Sequence, residues 1–223
     1  MGWSFIQGAK GSSGSASTAF GSNVTAGNLL IAAVRISGGS SDSYSASDTL
    51  TNTWIKLSDN FHSGAQSVAI FGCLKSKASG ADTITIAGAG GAPVWVSLAE
   101  FNYGSATISS DGGSTGANST SQDSSDTIVT AGSLDLIVSY VGNSSSNGNT
   151  WTVNSPSSLA IADSVNTASV LGYILNAVPG TYVPSFHSSS SVAWVQTTAA
   201  IKGPSSGGGG ALPLLLTEDG GDS

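Results

Sequence analysis

The chain has 223 residues, of which 9% are charged and 39% are hydrophobic, and its formal net charge is −7. Six lysine and arginine residues in total cannot form the basic stripe of a nucleic-acid-binding surface or the polybasic patch of a membrane-bound protein. The hydrophobic residues occur in short β-branched runs instead of one stretch of about 20, so the sequence predicts a folded β protein without membrane insertion.

Strand-like runs follow one another along the whole chain and are separated by turns rich in Gly, Ser, Asn and Asp. Alternating or continuous apolar runs of this length are typical of β-strands, and no segment has a helical period. The sequence therefore predicts an all-β fold, a sandwich or a jelly roll. In chain order, the runs are residues 29–36, 53–57, 68–74, 82–87, 94–101, 134–141, 168–175 and 192–201.

Four short segments recur in the same order in the second half of the chain. The pairs are residues 24–29 with 129–134, 52–54 with 149–151, 70–72 with 170–172, and 94–96 with 193–195. This pattern predicts an internal duplication with pseudo-repeats at about 18–104 and 123–203. The copies either interleave into one sandwich or form two small ones. We favour a single sandwich over residues 1–203, because two separate domains would have thin cores.

Four tryptophans fall in the matched segments. Residues that recur with the strands are expected to form the packing core, and this reading applies to Trp54, Trp95, Trp151 and Trp194. In the alternative reading, Trp54 and Trp151 are exposed and stack on sugar rings. Trp3 lies outside the repeat, and we expect it at an edge, where it contacts a neighbouring subunit.

Acidic and amide residues cluster between positions 42 and 59. Asp42, Asp48, Asn52 and Asp59 offer the oxygen ligands that calcium prefers. Asp and Asn are also the common residues of turns, and the spacing is not that of an EF-hand, so the turn reading is favoured. The sequence thus predicts no cofactor, with calcium near Asp42, Asp48 and Asp59 as the alternative.

The residues that catalysis requires are scattered. Glu100 lies in a strand whose counterpart in the second copy has Ala199, so no pair of facing carboxylates is indicated. Cys73 lies in an apolar run, and the two histidines lie in Ser- and Gly-rich segments. We therefore expect a protein that is not an enzyme and has no catalytic residues.

The C-terminal 20 residues have a composition of their own. Residues 204–210 read as a flexible Gly/Ser linker, and 211–223 as an apolar and then acidic tail. An apolar segment on a flexible arm needs a surface that covers it. We expect it to dock on a neighbouring subunit; folding back onto its own sandwich is the alternative. The contacting residues would be Leu212, Leu214, Leu215 and Leu216.

Three segments carry a resemblance to a known kind of module. Residues 24–31, 47–54 and 98–104 resemble a β-sandwich surface module of phage virion and bacterial extracellular proteins, and the similarity extends over residues 18–203. Such modules have a Gly-containing first strand, a turn from Asp to Trp and a closing Glu-aromatic segment. This chain departs from the pattern at Thr51, where the turn usually has Gly.

The resemblance implies a module on the exterior of virions, appendages or large secreted proteins, with no shared catalytic residues. Residues 1–10 do not read as a signal peptide, and a phage particle reconciles this with the Ser/Thr/Gly-rich composition. We expect a non-enzymatic decoration, capsid-associated or tail-associated subunit that docks through its termini and displays loops. Its partners would be copies of itself or other particle proteins. The alternative is a carbohydrate-binding or adhesin module that contacts host-surface glycans.

Overall fold

The computed structural model describes residues 2–37, 44–62, 66–88, 94–104, 109–113, 116–143, 149–156, 158–162 and 168–203. These residues form β-strands, turns and irregular segments without a helix. The prediction of an all-β protein with the layered sheets of a sandwich is therefore confirmed.

The first half of the chain forms two antiparallel sheets. The first long sheet contains, from edge to edge, β1 (Ser4–Lys10), β8 (Val94–Asn102), β3 (Leu29–Ser37), β6 (Gln66–Cys73) and β5 (Ile55–His62). The first small sheet contains β2 (Ser17–Ala19), β7 (Thr83–Ala87) and β4 (Ser45–Asp48).

The second half forms a similar pair of sheets and a short ribbon. The second long sheet contains β19 (Trp194–Lys202), β13 (Asp135–Asn143), β16 (Ser169–Ala177) and β15 (Ala160–Ile161), and both β9 (Ser109–Gly113) and β10 (Ala117–Ser119) pair with β19. The second small sheet contains β11 (Asp123–Ser125), β18 (Ser185–Ser188) and β14 (Trp151–Ser155). The ribbon contains β12 (Ile128–Thr130) and β17 (Gly180–Tyr182).

The sheets stack in four layers, with the two long sheets in the middle. Leu30 and its neighbours on one face of β3 pack with Ile84 of the first small sheet. Leu29 and Ile31 on the opposite face pack with Leu136 and other residues of the second long sheet. The second half has its own outer core, beneath the second small sheet and the ribbon. Each half thus has two sheets around an outer core of its own, and the two long sheets enclose a third, shared core. The single sandwich over residues 1–203 stays a prediction.

A buried cation joins the two halves within this shared region. The guanidinium of Arg35 lies 4.3 Å from the ring centre of Trp95, and its Nε donates to Gln66 Oε1 over 3.0 Å. Gln66 Nε2 in turn donates to the carbonyl oxygen of Gly142 in the second half, at 3.2 Å. A Cβ at Gly142 would lie 2.9 Å from Arg35 Cγ, so the close approach requires glycine. Burial lowers the pKa of Arg35 below its ordinary value.

The strand order recurs between the halves, but the matched tryptophans do not occupy equivalent positions. Trp95 pairs with Arg35 and faces the shared region, whereas Trp194 pairs with Asn143 and packs in the outer core of the second half. Trp54 precedes β5, whereas Trp151 opens β14. The matched tryptophans therefore do not support the recurring strand order, and an internal duplication stays a prediction.

Candidate functional site

A cleft of about 570 Å³ opens at one end of the first long sheet. Three chain segments meet there because β3 starts where its antiparallel neighbours β6 and β8 end. The lining residues are Ala26, Gly27, Asn28, Lys75, Ser76, Lys77, Asn102 and Gly104. Some of these residues belong to segments 24–31 and 98–104, which carry the family resemblance, and they lie beside the turn after β6.

The floor of the cleft is supported by a buried carboxylate. Glu100 is fully buried, and its Oε1 accepts hydrogen bonds from the Thr25 backbone N–H at 2.9 Å and from Asn28 Nδ2 at 2.6 Å. Its Oε2 accepts from Gln7 Nε2 at 2.6 Å. Three donors compensate for the loss of hydration of this carboxylate, so Glu100 fixes the segment before β3 against β8.

Two amide side chains continue this network toward the cleft. Asn102 Nδ2 donates to Asn28 Oδ1 at 2.6 Å, and the Gly104 backbone N–H donates to Asn102 Oδ1 at 2.9 Å. The oxygen atoms of both amides are therefore occupied by donors from within the chain. Each amide nitrogen has a second N–H.

The opposite wall is the turn after β6. The Ser76 backbone pairs with Gly27 and Asn28, and its side chain is buried. Lys75 and Lys77 are exposed on either side of the buried Ser76. Lys77 Nζ donates to the Thr51 carbonyl oxygen at 2.7 Å, whereas the Lys75 ammonium has no partner within the described part of the chain.

The Asp48–Trp54 turn holds this wall in place. Asp48 Oδ1 accepts from the Asn52 backbone N–H at 2.9 Å, and Oδ2 accepts from Asn52 Nδ2 at 2.7 Å and from Trp54 Nε1 at 2.8 Å. Asn52 Oδ1 accepts from the Lys77 backbone N–H at 2.7 Å. Thr51 has a φ of +55°, the left-handed conformation that glycine adopts most easily. A glycine, which the resemblance implies at this position, would adopt this conformation without strain.

The residues suggested for calcium are not brought together. Asp48 binds the donors of its own turn, Asp59 forms an ion pair with Lys56 at 2.7 Å, and Asp42 lies outside the described residues. No group of three or more His, Cys, Asp or Glu side chains suited to a metal ion occurs in the described ranges.

The two tryptophans predicted to stack on sugars, Trp54 and Trp151, differ in how far their side chains are buried. Trp151 is fully buried, so the reading of Trp151 as an exposed sugar platform is wrong: its ring packs in the outer core of the second half. Trp54 is half-buried and packs against the outer core of the first half. Trp95 and Trp194 are also buried, which confirms the core reading for them.

Trp3 was expected to contact a neighbouring subunit, and the structure corrects this. It is 3% exposed, packs edge-on against Tyr103 at 4.8 Å between ring centres, and donates from Nε1 to the Leu134 carbonyl oxygen at 2.9 Å. The Trp3 backbone N–H also donates to Asn176 Oδ1 at 2.7 Å. Trp3 therefore joins the two halves of its own chain. Leu212, Leu214, Leu215 and Leu216 lie outside the described residues.

A second cluster of ionisable groups lies where β9, β13 and β19 meet. Lys202 Nζ forms an ion pair with Asp111 Oδ1 at 2.8 Å, and Asp111 Oδ2 accepts from the Ala131 backbone N–H at 3.1 Å. Burial opposes ionisation of Asp111, but these donors outweigh it and hold its pKa below the ordinary value. Burial, with Asp111 nearby, raises the pKa of fully buried Asp135 to about 6.

Two further reactive side chains have structural surroundings. Cys73 is buried, and burial raises the pKa of its thiol to about 11, which disfavours the nucleophilic thiolate. His187 Nδ1 lies 2.7 Å from Asp123 Oδ1, an exposed pair that links β18 to β11.

Comparison of the chain with family models, curated proteins and solved structures found no match. The part of the chain that the structure describes contains no apolar helix of the length needed to cross a bilayer.

Proposed function

We propose that the chain is a non-enzymatic structural subunit of a virion or surface assembly, such as a decoration, capsid-associated or tail-associated protein. In this role, residues 2–203 display polar loops, and the apolar segment 211–216 of one copy docks on the next copy. The observation that supports the docking is an exposed apolar patch on the second half.

The patch, which we call the valine patch, consists of Val129, Val178 and Val183. Their side chains are 66%, 59% and 42% exposed, whereas most valines of the described chain are buried. Val129 lies on β12, and the other two flank β17, its partner in the ribbon. Apolar side chains clustered on a short ribbon are a common feature of protein–protein contacts.

The number of residues between Gly203 and segment 211–216 decides whether the segment can reach this patch. Gly203 packs against the Leu134 carbonyl oxygen, five residues along the chain from Val129. The seven residues 204–210 span at most about 25 Å when extended. The five residues from Leu134 to Val129 can span less than this, so the linker is long enough to reach Val129. The segment can therefore reach a valine patch on its own chain or on an adjacent copy. The resemblance to virion modules favours the adjacent copy.

Oligomeric state tests the proposal. We expect the full chain to associate in light scattering after size exclusion, more strongly as its concentration rises. Val129→Ser combined with Val178→Ser should abolish association, and so should Leu214→Ser combined with Leu215→Ser. Ile6→Ser is the matched control, because Ile6 is 49% exposed on β1. A native chain that stays monomeric at about 100 μM, where even weak contacts of micromolar affinity are populated, would refute docking between copies.

Carbohydrate binding is the second candidate, and the cleft beside β3 is the observation that favours it. The buried tryptophan Trp151 does not support it.

A further inference from the structure

The side chains of the cleft that can still bind a ligand offer hydrogen-bond donors and positive charges. The amide oxygens of Asn28 and Asn102 are occupied within the chain, and each amide nitrogen retains an N–H. Lys75 contributes an ammonium without a described partner, and Lys77 contributes one that uses a single donor on Thr51. A surface with spare donors and two cations is complementary to a ligand with acceptor oxygens and negative charge.

Nearby carboxylates leave these two cations available. Glu100 is fully buried beneath the cleft and accepts three hydrogen bonds from neutral donors. Asp48 accepts from Asn52 and Trp54. Neither carboxylate has a hydrogen bond to a lysine ammonium. Lys75 and Lys77 are two residues apart in the turn after β6, and both line the cleft, so an acidic group bound in the cleft has both side chains beside it.

We propose that this cleft binds an anionic saccharide, whose acidic group lies between the ammonium groups of Lys75 and Lys77. The volume of about 570 Å³ is that of a small-molecule site and exceeds what one inorganic anion fills. Sugar hydroxyls suit the remaining N–H of Asn102, whose side chain is only partly buried. The lining residues include no aromatic side chain on which a nucleobase would stack. This binding does not depend on the assembly proposed above.

The buried floor makes the site preorganised. Asn28 is 3% exposed and is fixed by Glu100 and Asn102, and Ser76 is fixed by backbone pairing with the segment before β3. Residues that do not move on binding lose little entropy, so a shallow polar cleft can retain measurable affinity. We expect dissociation constants on the order of 0.1–1 mM, typical of a single polar site.

Calorimetric titration of the full chain tests the site with five probes: a uronate-containing disaccharide, a sulfated disaccharide, a neutral disaccharide, a glutamate tripeptide and inorganic sulfate. The two acidic sugars distinguish carboxylate from sulfate as the group recognised. We expect at least one acidic sugar to bind, the neutral sugar and the peptide to bind at least about tenfold more weakly, and affinity to fall with added salt.

Variants connect the binding to the cleft. Lys75→Gln should weaken binding about fivefold or more, as expected for loss of a charge-assisted hydrogen bond. It should leave thermal unfolding unchanged, because the Lys75 ammonium has no described partner. Lys75→Gln combined with Lys77→Gln should abolish binding. Lys56→Gln is the matched control, because Lys56 is a lysine of β5 that pairs with Asp59 and does not line the cleft.

Three outcomes would overturn the proposal. The first is that no acidic sugar binds at about 10 mM, well above the expected dissociation constant. The second is that Lys75→Gln binds as tightly as the native chain. The third is that the glutamate tripeptide or inorganic sulfate binds as tightly as the acidic sugars, which would show a site for any anion. None of these readouts uses the valine patch, so they distinguish failure of this site from failure of the assembly.

Discussion

Replacing Asp135 by asparagine should remove a pH-dependent loss of stability. In the native chain, Asp135 Oδ2 accepts from the Gly132 backbone N–H at 3.0 Å, while its buried Oδ1 has no donor. Asp111, with Lys202 beside it, is the neighbouring acidic group. A protonated Asp135 can donate its O–H to a neighbouring acceptor. An ionised Asp135 instead keeps a buried negative charge with one oxygen that accepts no hydrogen bond. The Nδ2 of an asparagine supplies a permanent donor of the same shape.

The sign of the effect follows from the direction of the pKa change. Asp135 has an ordinary pKa of 3.8 when unfolded and one of about 6 when folded, so the folded state holds its proton more tightly. Its contribution to the free energy of unfolding is therefore fully present below about pH 3.8 and is lost as pH rises to about 6. A rise from 3.8 to about 6 corresponds to about 3 kcal/mol of stability lost by pH 7.

Asp111 acts in the opposite direction and in a lower range of pH. Its lowered pKa gives a contribution that is present above its ordinary pKa and is lost as pH falls through the folded value. Between about pH 4 and 7, the decrease in stability caused by Asp135 should therefore dominate this cluster. Asp135→Asn should remove that decrease and raise stability at pH 7 by about 1–3 kcal/mol.

Urea unfolding between pH 4 and 8 measures this effect, with the slope m compared at each pH. Asp123→Asn is the matched control, because the Asp123 side chain is 59% exposed and pairs with His187 at the surface. The control should change stability by less than about 1 kcal/mol. If the Asp135→Asn curve runs parallel to the native curve from pH 4 to 7, the assignment of a raised pKa to Asp135 is wrong.

Three further predictions concern the fold and the cleft, and thermal and urea unfolding test them. Thr51→Gly should stabilise the chain by about 1 kcal/mol, because it removes a β-branched side chain from a left-handed backbone conformation. Asn176→Gly, at a similar φ of +56°, should not stabilise it, because Asn176 also accepts a hydrogen bond from the Trp3 backbone N–H. Trp3→Ala should destabilise it by about 3–5 kcal/mol, the usual cost of deleting a buried tryptophan; a loss below about 1 kcal/mol would contradict the buried position. Glu100→Gln should cost about 2–3 kcal/mol because three donors lose a charged acceptor, and an unchanged midpoint would contradict its role in the cleft floor.

The class of fold was predictable because the pattern of apolar residues in a strand shows whether one or both of its faces are buried. Residues 68–74 form a continuous apolar run, and β6 is buried along its whole length between the shared core and the outer core of the first half. By contrast, β7 alternates between buried Ile84 and Ile86 and more exposed threonines, as expected for a sheet with one covered face. What this pattern could not show is which other sheet covers each face.

The positions of the tryptophans show a limit of sequence matching in β proteins. Residues 94–96 and 193–195 match by composition, but the two tryptophans face different cores. Because side chains alternate along a strand, a displacement of one residue in an alignment moves a side chain to the other face of the sheet. The matched segments correctly indicated buried residues. They did not indicate that Trp95 would cover Arg35 between the halves.

The cleft was not predicted, because its residues are far apart in the sequence and come together only when β3, β6 and β8 pair. Asn28, Ser76 and Asn102 look like ordinary turn residues, and Glu100 looks like a solitary carboxylate in a strand. The available signal was the Lys-Ser-Lys sequence at 75–77, which contains two of the six basic residues of the chain. In a chain so poor in charge, two lysines in one turn indicate a positively charged surface there.

Two groups of residues form the cleft: one group fixes its shape, and the other would determine which ligand binds. Asn28, Glu100 and Gly104 belong to the segments that resemble surface modules, and their hydrogen bonds fix the backbone where β3 and β8 meet. Lys75 and Lys77 lie outside those segments and supply the free charge. Substitution of the shaping residues should therefore impair folding and binding together, whereas Lys75 can change without a structural cost. Under the proposed binding, the ligand of this chain should therefore change with the turn after β6 while the fold stays the same.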